Sequence, residues 1–135
     1  MSRFVTDTHP VVWHLTGKSG LSTVAEKIFT ETDRGFHQIL VPGIVLIEMV
    51  YLTEKGLIPV PLLHQMFNLL NTPNGSYAVA SLDQTVARVM VDHVSWSAVP
   101  ELADRIITAT AISLNLPLIT KDKQIQQSGL TSILW

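Results

Sequence analysis

Short runs of β-forming residues alternate with segments of helical spacing along the whole chain. The β-like runs are Phe4–Thr6, Ile39–Val41, Tyr77–Ser81, Pro117–Thr120 and Ser132–Leu134. Strands that alternate with helices favour a mainly parallel central sheet with helices packed on it. The sequence therefore predicts an α/β fold.

The segments between these runs are predicted to be helices, most of which begin beside proline, glycine or a capping residue. Pro10 is expected to open the first helix, and Ser22 is a candidate N-cap for a second helix over 22–35. The other predicted helices cover 43–55, 60–70, 82–94 and a segment that begins at Pro100, a favoured first helical residue.

Composition bounds the architecture further. The chain has 135 residues without a repeat, a low-complexity segment or a linker-like stretch, so we expect one domain over residues 1–135. Hydrophobic residues make up 47% of it and charged residues only 15%, which is typical of a well-packed globule. Apolar surface in excess is often buried against another subunit, which favours an oligomer.

Three further features concern location and partners. The longest apolar stretch, "ILVPGIVLIEMVYL", has 14 residues and is interrupted by Pro42, Gly43 and Glu48, so no membrane span is expected. The N-terminus shows no signal peptide, and the absence of cysteine is compatible with a reducing cytosol, so we expect a cytoplasmic protein. A net charge of −2 excludes binding of nucleic acid by bulk positive charge. Any contact with a polyanion must be local or bridged by cations.

Several acids occupy positions where a parallel sheet would place a site. Asp7 and Asp122 each follow a predicted strand, at the edge where α/β folds bind ligands, although aspartate is also common in such turns without any chemistry. Glu48 lies in "IVLIEMVYL", with four apolar residues on either side. Either a cation compensates its charge, or it lies on a narrow exposed stripe with Tyr51 and Lys55.

A fourth acid, Asp104, lies near the start of a predicted helix, where the helix dipole alone would stabilise it. If the sheet brings Asp7, Glu48, Asp104 and Asp122 together, their like charges raise their pKa values or recruit a divalent cation. Ligand sets made only of oxygen select Mg²⁺ or Mn²⁺, which can activate water for phosphodiester hydrolysis.

Three segments make the chain resemble a known family. "VTDTHPVVWHL", "VPGIVLIEMVYL" and "ELADRIITATAISLNLPLITKD" resemble, in order and spacing, PIN-domain nucleases, especially the VapC-type toxin branch. The resemblance runs from Phe4 to near Ile133. It implies a PIN-like three-layer α/β/α sandwich with a parallel sheet of about five strands. It also implies an Mg²⁺- or Mn²⁺-dependent endoribonuclease, the toxin of a type II toxin–antitoxin system, that forms a homodimer and is bound by a small antitoxin.

The resemblance assigns site residues position by position. The residues that match the family's acidic quartet, which holds the metal and carries catalysis, are Asp7, Glu48, Asp104 and Asp122. Thr8 and Thr120 match supporting hydroxyl positions, and Glu101 falls where many relatives carry a further acid. Gly43 and Ile44 depart from the pattern, since relatives more often have Ser or Thr a few residues before the glutamate. That departure removes a hydroxyl that could hydrogen-bond near Glu48.

Basic residues near these acids are weaker candidates. Lys121 and Lys123 flank Asp122 and could contact a substrate phosphate, although solvated surface charge explains them as well. Arg105 follows Asp104 and points about 100° away from it on a helix, so it could anchor a carboxylate or touch RNA.

The histidines, the aromatic residues and two motifs limit the possible functions further. His9 adjoins Asp7 and could either join the site or cap the helix. "GKSG" is no phosphate-binding loop, because the required glycine is replaced by Val12. His9 also stands where an aspartyl-nucleophile phosphatase needs a second aspartate. Four aromatic residues could stack on bases but are more often core or subunit contacts, namely Trp13, Trp96, Trp135 and Tyr51.

Two alternatives to the toxin nuclease stay open. A catalytically quiet PIN-like scaffold domain would use the same cleft to bind RNA or protein without turnover. A stand-alone RNA-processing or repair nuclease would act without an antitoxin.

Overall fold

The computed structural model describes residues 1–135 and contains a five-stranded sheet with seven helices. The strands are β1 (Ser2–Thr6), β2 (His37–Pro42), β3 (Tyr77–Ala80), β4 (Leu118–Ile119) and β5 (Ile133–Leu134). The helices are α1 (Thr8–Thr16), α2 (Thr23–Asp33), α3 (Gly43–Glu54), α4 (Val60–Leu70), α5 (Gln84–His93), α6 (Leu102–Leu114) and α7 (Lys123–Ser128).

The sheet has the strand order β3-β2-β1-β4-β5, and every strand pair is parallel. Consecutive residues of the central strands are buried, as in Phe4–Thr6 of β1 and Ile39–Pro42 of β2. Such continuous burial means that helices cover both faces of the sheet. The predicted α/β/α sandwich of the PIN type is therefore confirmed.

The helix boundaries show where local signals mislead. Ser22 caps α2 as predicted, accepting a hydrogen bond from the Ala25 amide at 3.1 Å. Pro10 does not open α1, which begins two residues earlier because the Asp7 side chain accepts from the Thr8 amide and caps it. Pro100 likewise lies outside α6, which begins at Leu102. Proline fits a first helical turn, but at α1 the Asp7 cap decides where the turn starts, and α6 begins at Leu102 without a side-chain cap.

Helix α7 was not predicted from the sequence. It spans only Lys123–Ser128 and lacks a clear apolar period, and its one buried residue is Ile125. The Asp122 side chain caps α7, so this aspartate follows β4 closely and also begins the next helix. None of the seven helices combines the length and apolar character needed to cross a bilayer.

Candidate active site

A cleft of about 410 Å³ lies at the carboxyl ends of β1 and β4, where two strands deliver their following loops. We call it the acidic cleft, because five carboxylates line it. The residues that line the acidic cleft are Asp7, Thr8, His9, Pro10, Trp13, Glu48, Glu101, Asp104, Lys121 and Asp122. The fold thus brings together all four acids of the predicted quartet and Glu101.

Asp7 is the most buried of these acids, with an exposed fraction of 8%. Its amide donates to the Ile119 carbonyl at 3.0 Å, which ties the end of β1 to β4. One carboxylate oxygen, Oδ1, accepts from the Thr8 amide at 2.7 Å, and the other, Oδ2, accepts from the Thr120 hydroxyl at 2.7 Å. Each oxygen keeps a second lone pair for another partner.

Thr120 also holds the second aspartate in place. Its hydroxyl oxygen accepts from the Asp122 amide at 3.0 Å while donating to Asp7. The Asp122 carboxylate uses Oδ1 to accept from the Ile125 amide at 2.9 Å, as the N-cap of α7. Oδ1 thus has a protein partner, whereas Oδ2 accepts no hydrogen bond from the protein and can bind a ligand in the cleft.

Glu48 reaches the cleft from the middle of α3. Its Oε1 accepts from the Thr8 hydroxyl at 2.6 Å, so it points toward the start of α1. Lys55 does not pair with it and instead lies over the Tyr51 ring at 4.8 Å. Glu48 is half-buried and turns to Thr8, whereas Tyr51 and Lys55 contact each other on the exposed side of α3. No side-chain hydrogen bond caps the start of α3, which fits the absence of a hydroxyl before Glu48.

Asp104 differs from the other three acids because no protein donor contacts its carboxylate. Partial burial, followed by repulsion from Asp7, Glu101, Asp122 and Glu48, raises the pKa of Asp104 to about 7. Burial is also the main reason that the pKa values of Asp7 and Glu48 are raised. The cleft therefore gathers five carboxylates around a single lysine, so most of their negative charge is uncompensated within the chain.

The three basic residues predicted to contact substrate differ in whether they line the cleft. Lys121 lines the cleft, whereas Lys123 is an exposed residue at the start of α7 and does not. Arg105 is committed elsewhere, because its Nε and a terminal nitrogen donate to the Val94 carbonyl at 3.1 and 2.8 Å. Of the three, only Lys121 is placed to meet a ligand in the cleft.

Two residues that line the cleft were not included in the predicted site. His9 lines the cleft but does not cap α1, since Asp7 does so. Trp13 lines it too, one helical turn further along α1. His9 and Trp13 are four residues apart and therefore lie on one face of α1. That spacing could have predicted that both residues face the cleft.

The donor set fits a hard divalent cation. Carboxylate oxygens are the ligands that Mg²⁺ and Mn²⁺ prefer, and both oxygens of Asp104 are without a protein donor. No three His, Asp or Glu side chains already stand together as a metal-binding group in the structure. Coordination therefore requires the acids to turn toward a common point, which Glu48 and Asp104 can do because neither is fully buried.

Comparison with known proteins agrees with this geometry. The model of the PIN domain family matches residues 4–129. No curated protein matches the chain. The fold is similar to that of VapBC2 from Rickettsia felis bound to a promoter DNA fragment, with 12% identity, a TM-score of 0.71 and coverage of 97% of this chain and 96% of that one. It is also similar to that of DNA-bound VapBC from Salmonella typhimurium, with 17% identity, a TM-score of 0.68 and coverage of 98% of this chain and 97% of that one.

A third solved structure, FitAcB from Neisseria gonorrhoeae, is 16% identical, with a TM-score of 0.60 and coverage of 96% of this chain and 95% of that one. The chain is thus a parallel α/β/α sandwich with an acidic cleft beyond its central strands. The match over residues 4–129 makes the assignment specific: this chain belongs to the PIN domain family, whose members are generally nucleases.

Proposed function

We propose that the chain is an Mg²⁺- or Mn²⁺-dependent endoribonuclease that hydrolyses RNA phosphodiester bonds. One observation carries the proposal: acids from four separate elements meet in one cleft, where a single lysine faces them. The residues that would hold the metal and carry catalysis are Asp7, Glu48, Asp104 and Asp122. A bound divalent cation would supply activated water and stabilise the leaving oxygen.

The rest of the cleft positions these acids. Thr120 holds the Asp7 carboxylate and the Asp122 backbone, and Thr8 holds Glu48. These hydrogen bonds orient the Asp7 carboxylate, tie one oxygen of Glu48 to Thr8 and hold the backbone at Asp122. The Asp104 carboxylate has no protein donor and is the acid that is free to turn toward a bound cation. Glu101 adds negative charge at the cleft as an accessory ligand, and Lys121 offers the substrate phosphate a cation.

We also propose that the protein is the toxin of a type II toxin–antitoxin system, acting in the cytoplasm as one domain over residues 1–135. The PIN family match and the likeness to VapBC and FitAcB structures support this assignment. In this proposal the chain forms a homodimer, and a small antitoxin occupies the cleft.

The test is RNA cleavage by the purified full chain with Mg²⁺, with Mn²⁺ and with EDTA. Asp104→Asn is the active-site variant, and Asp92→Asn is its matched control because Asp92 is an exposed acid outside the cleft. We expect metal-dependent cleavage that Asp104→Asn abolishes and Asp92→Asn retains. Full activity of folded Asp104→Asn would show that the site is wrongly assigned.

A second candidate, the catalytically quiet binding domain, is favoured by one observation: the acids do not already form a metal-binding group. The same assay separates the two, since a quiet domain binds RNA or protein without metal-dependent turnover. A stand-alone nuclease would cleave RNA in the same way but would have no adjacent reading frame whose small product inhibits it.

A further inference from the structure

The acidic cleft also has an aromatic part, which the proposed chemistry does not use. The Trp13 ring lies 5.6 Å from the His9 ring and 6.2 Å from the ring of Trp135, measured between centroids. The ammonium group of Lys121 lies over the indole of Trp13, 5.5 Å from the ring centroid. Trp13, His9 and Lys121 all line the same cleft as the acids.

The fold fixes the position of this indole through Gly20. A Cβ atom at Gly20 would lie 2.5 Å from Cδ2 of Trp13, 2.7 Å from Cε3 and 2.8 Å from Cε2. No side chain tolerates such distances, so the glycine backbone packs directly against the ring and only glycine leaves room for it. The indole is therefore held by the loop between α1 and α2 while it remains half-buried at the cleft.

A half-exposed indole beside a lysine matches the chemistry of single-stranded nucleic acids. Unpaired bases stack on aromatic side chains, whereas bases within a duplex are covered by their neighbours. Lys121 is the only lysine or arginine that lines the cleft, and its stem is long and exposed. Its ammonium group can leave the indole for a phosphate when a base takes its place.

We propose that Trp13 and Lys121 form a nucleotide subsite, in which a base of single-stranded RNA stacks on the indole while Lys121 contacts the adjacent phosphate. The inference rests on the proposed nuclease function and adds to it the residues that hold one base and its adjacent phosphate. It also gives Gly20 a role, since the glycine keeps the indole in place for the base.

The test measures binding, so that cleavage does not interfere. Full-length Asp104→Asn with Mg²⁺ serves as the parent, and the probes are short fluorescein-labelled RNA oligonucleotides, single-stranded or paired. A second probe series removes one base at a time by an abasic position. Trp13→Leu, Trp13→Phe and Lys121→Gln are made in the parent, with Trp96→Leu as the matched control because Trp96 is 71% exposed and lies outside the cleft.

We expect Trp13→Leu to weaken single-strand binding about tenfold or more, and Trp13→Phe to recover most of the loss. One abasic position should cost the parent a similar factor and should cost Trp13→Leu almost nothing. A merely structural role for Trp13 would not produce that pairing. Lys121→Gln should reduce the salt dependence of binding by about one phosphate contact, and Trp96→Leu should bind like the parent.

Three results would overturn the subsite. Equal binding of single-stranded and paired RNA, or an abasic series without any sensitive position, would overturn it and leave the proposed nuclease intact. If the parent binds no RNA, the same probes are measured on the wild-type chain with Ca²⁺ in place of Mg²⁺, and absence of binding there would overturn both. If Trp13→Leu does not fold, as judged by its circular dichroism, the abasic series on the parent and on Trp13→Phe still decides the question.

Discussion

Two clusters of carboxylates lie at opposite edges of the same parallel sheet, and they are built differently. In the acidic cleft, at the carboxyl edge, the acids receive hydrogen bonds only from hydroxyls and amides. At the amino edge, Asp33 accepts from the Tyr77 hydroxyl at 2.7 Å and contacts His14 Nε2 at 2.7 Å. Glu31 contacts His37 Nε2 at 2.6 Å. We call this second group the histidine–carboxylate cluster.

The difference teaches which acids are structural. Glu31 and Asp33 sit in the last turn of α2, and their partners come from α1, β2 and β3, so the pairs fasten the helix end to the sheet. The acids of the cleft come from separate elements and have no such partner within the chain, Lys121 being engaged with an indole. The paired carboxylates thus connect elements of the fold, whereas the unpaired ones are the acids that we propose to bind a cation.

The largest expected contrast is in catalysis. Asp7→Asn should reduce RNA cleavage about 100-fold or more, because it removes a charge that the metal requires. Asp33→Asn, the matched change at the other edge, should leave cleavage within a few-fold and lower the free energy of unfolding by about 1–2 kcal/mol. Steady-state cleavage and urea unfolding of both variants measure this. Equal loss of activity in the two would break the contrast.

Mg²⁺ should raise the Tm of the chain by binding in the acidic cleft and not at the histidine–carboxylate cluster. A cation bound only to the folded chain stabilises it by about 2.7 kcal/mol at 100 times its Kd. We expect Mg²⁺ to raise the Tm of the wild type and of Asp33→Asn by similar amounts, and that of Asp104→Asn much less. Thermal unfolding with and without EDTA provides the measurement. An Mg²⁺ effect that is undiminished in Asp104→Asn would place the metal outside the cleft.

How much of this could be predicted from the sequence differs between the two clusters. The alternation of strands and helices predicted the sheet, and Asp7 and Asp122 could be placed at one edge because parallel strands end there. Glu48 and Asp104 lie on helices, and they were grouped with the two aspartates through the resemblance to PIN-domain nucleases. Their hydrogen bonds could not be predicted, since Thr120 lies 113 residues from Asp7. The short helix α7 was missed because six residues are too few to show a period.

The histidine–carboxylate cluster escaped prediction altogether. His14 and His37 have no motif spacing, and their acidic partners lie 19 and 6 residues away. Their meeting depends on where α1 and α2 end relative to the sheet, which no local pattern encodes. Arg105 illustrates the same limit, because its carbonyl partner, Val94, belongs to the turn after α5.

Removal of single hydroxyls should sharpen the comparison with smaller effects. Thr120→Val deletes the donor to Asp7 and the acceptor for the Asp122 amide, so we expect cleavage to fall about 10- to 100-fold. Tyr77→Phe deletes the donor to Asp33, which should cost about 1 kcal/mol of stability and little activity. Thr110→Val is the control, since the Thr110 hydroxyl donates only to its own helix. Unchanged kinetics in Thr120→Val would remove Thr120 from the positioning of the acids.

The smallest effect is the pH dependence of the metal-free chain. The folded-state pKa of Asp104 is raised from 3.8 to about 7, so between these values the folded chain holds a proton that the unfolded chain has lost. Stability should therefore fall as pH rises from about 4 to about 7 and change little above that range. Because Asp104 is only partly buried, solvent screening limits the loss to about 1 kcal/mol.

Asp104→Asn removes this titrating group and should flatten the decline, and the difference between parent and variant cancels contributions from the rest of the molecule. Urea unfolding in EDTA at several pH values measures the two slopes. The raised pKa values of Asp7 and Glu48 act in the same direction, so a residual slope in Asp104→Asn is expected. Equal slopes in the parent and Asp104→Asn would mean that the repulsion in the cleft is already relieved without metal. In that case the contrast between an unpaired and a paired cluster of acids would fail at its electrostatic basis.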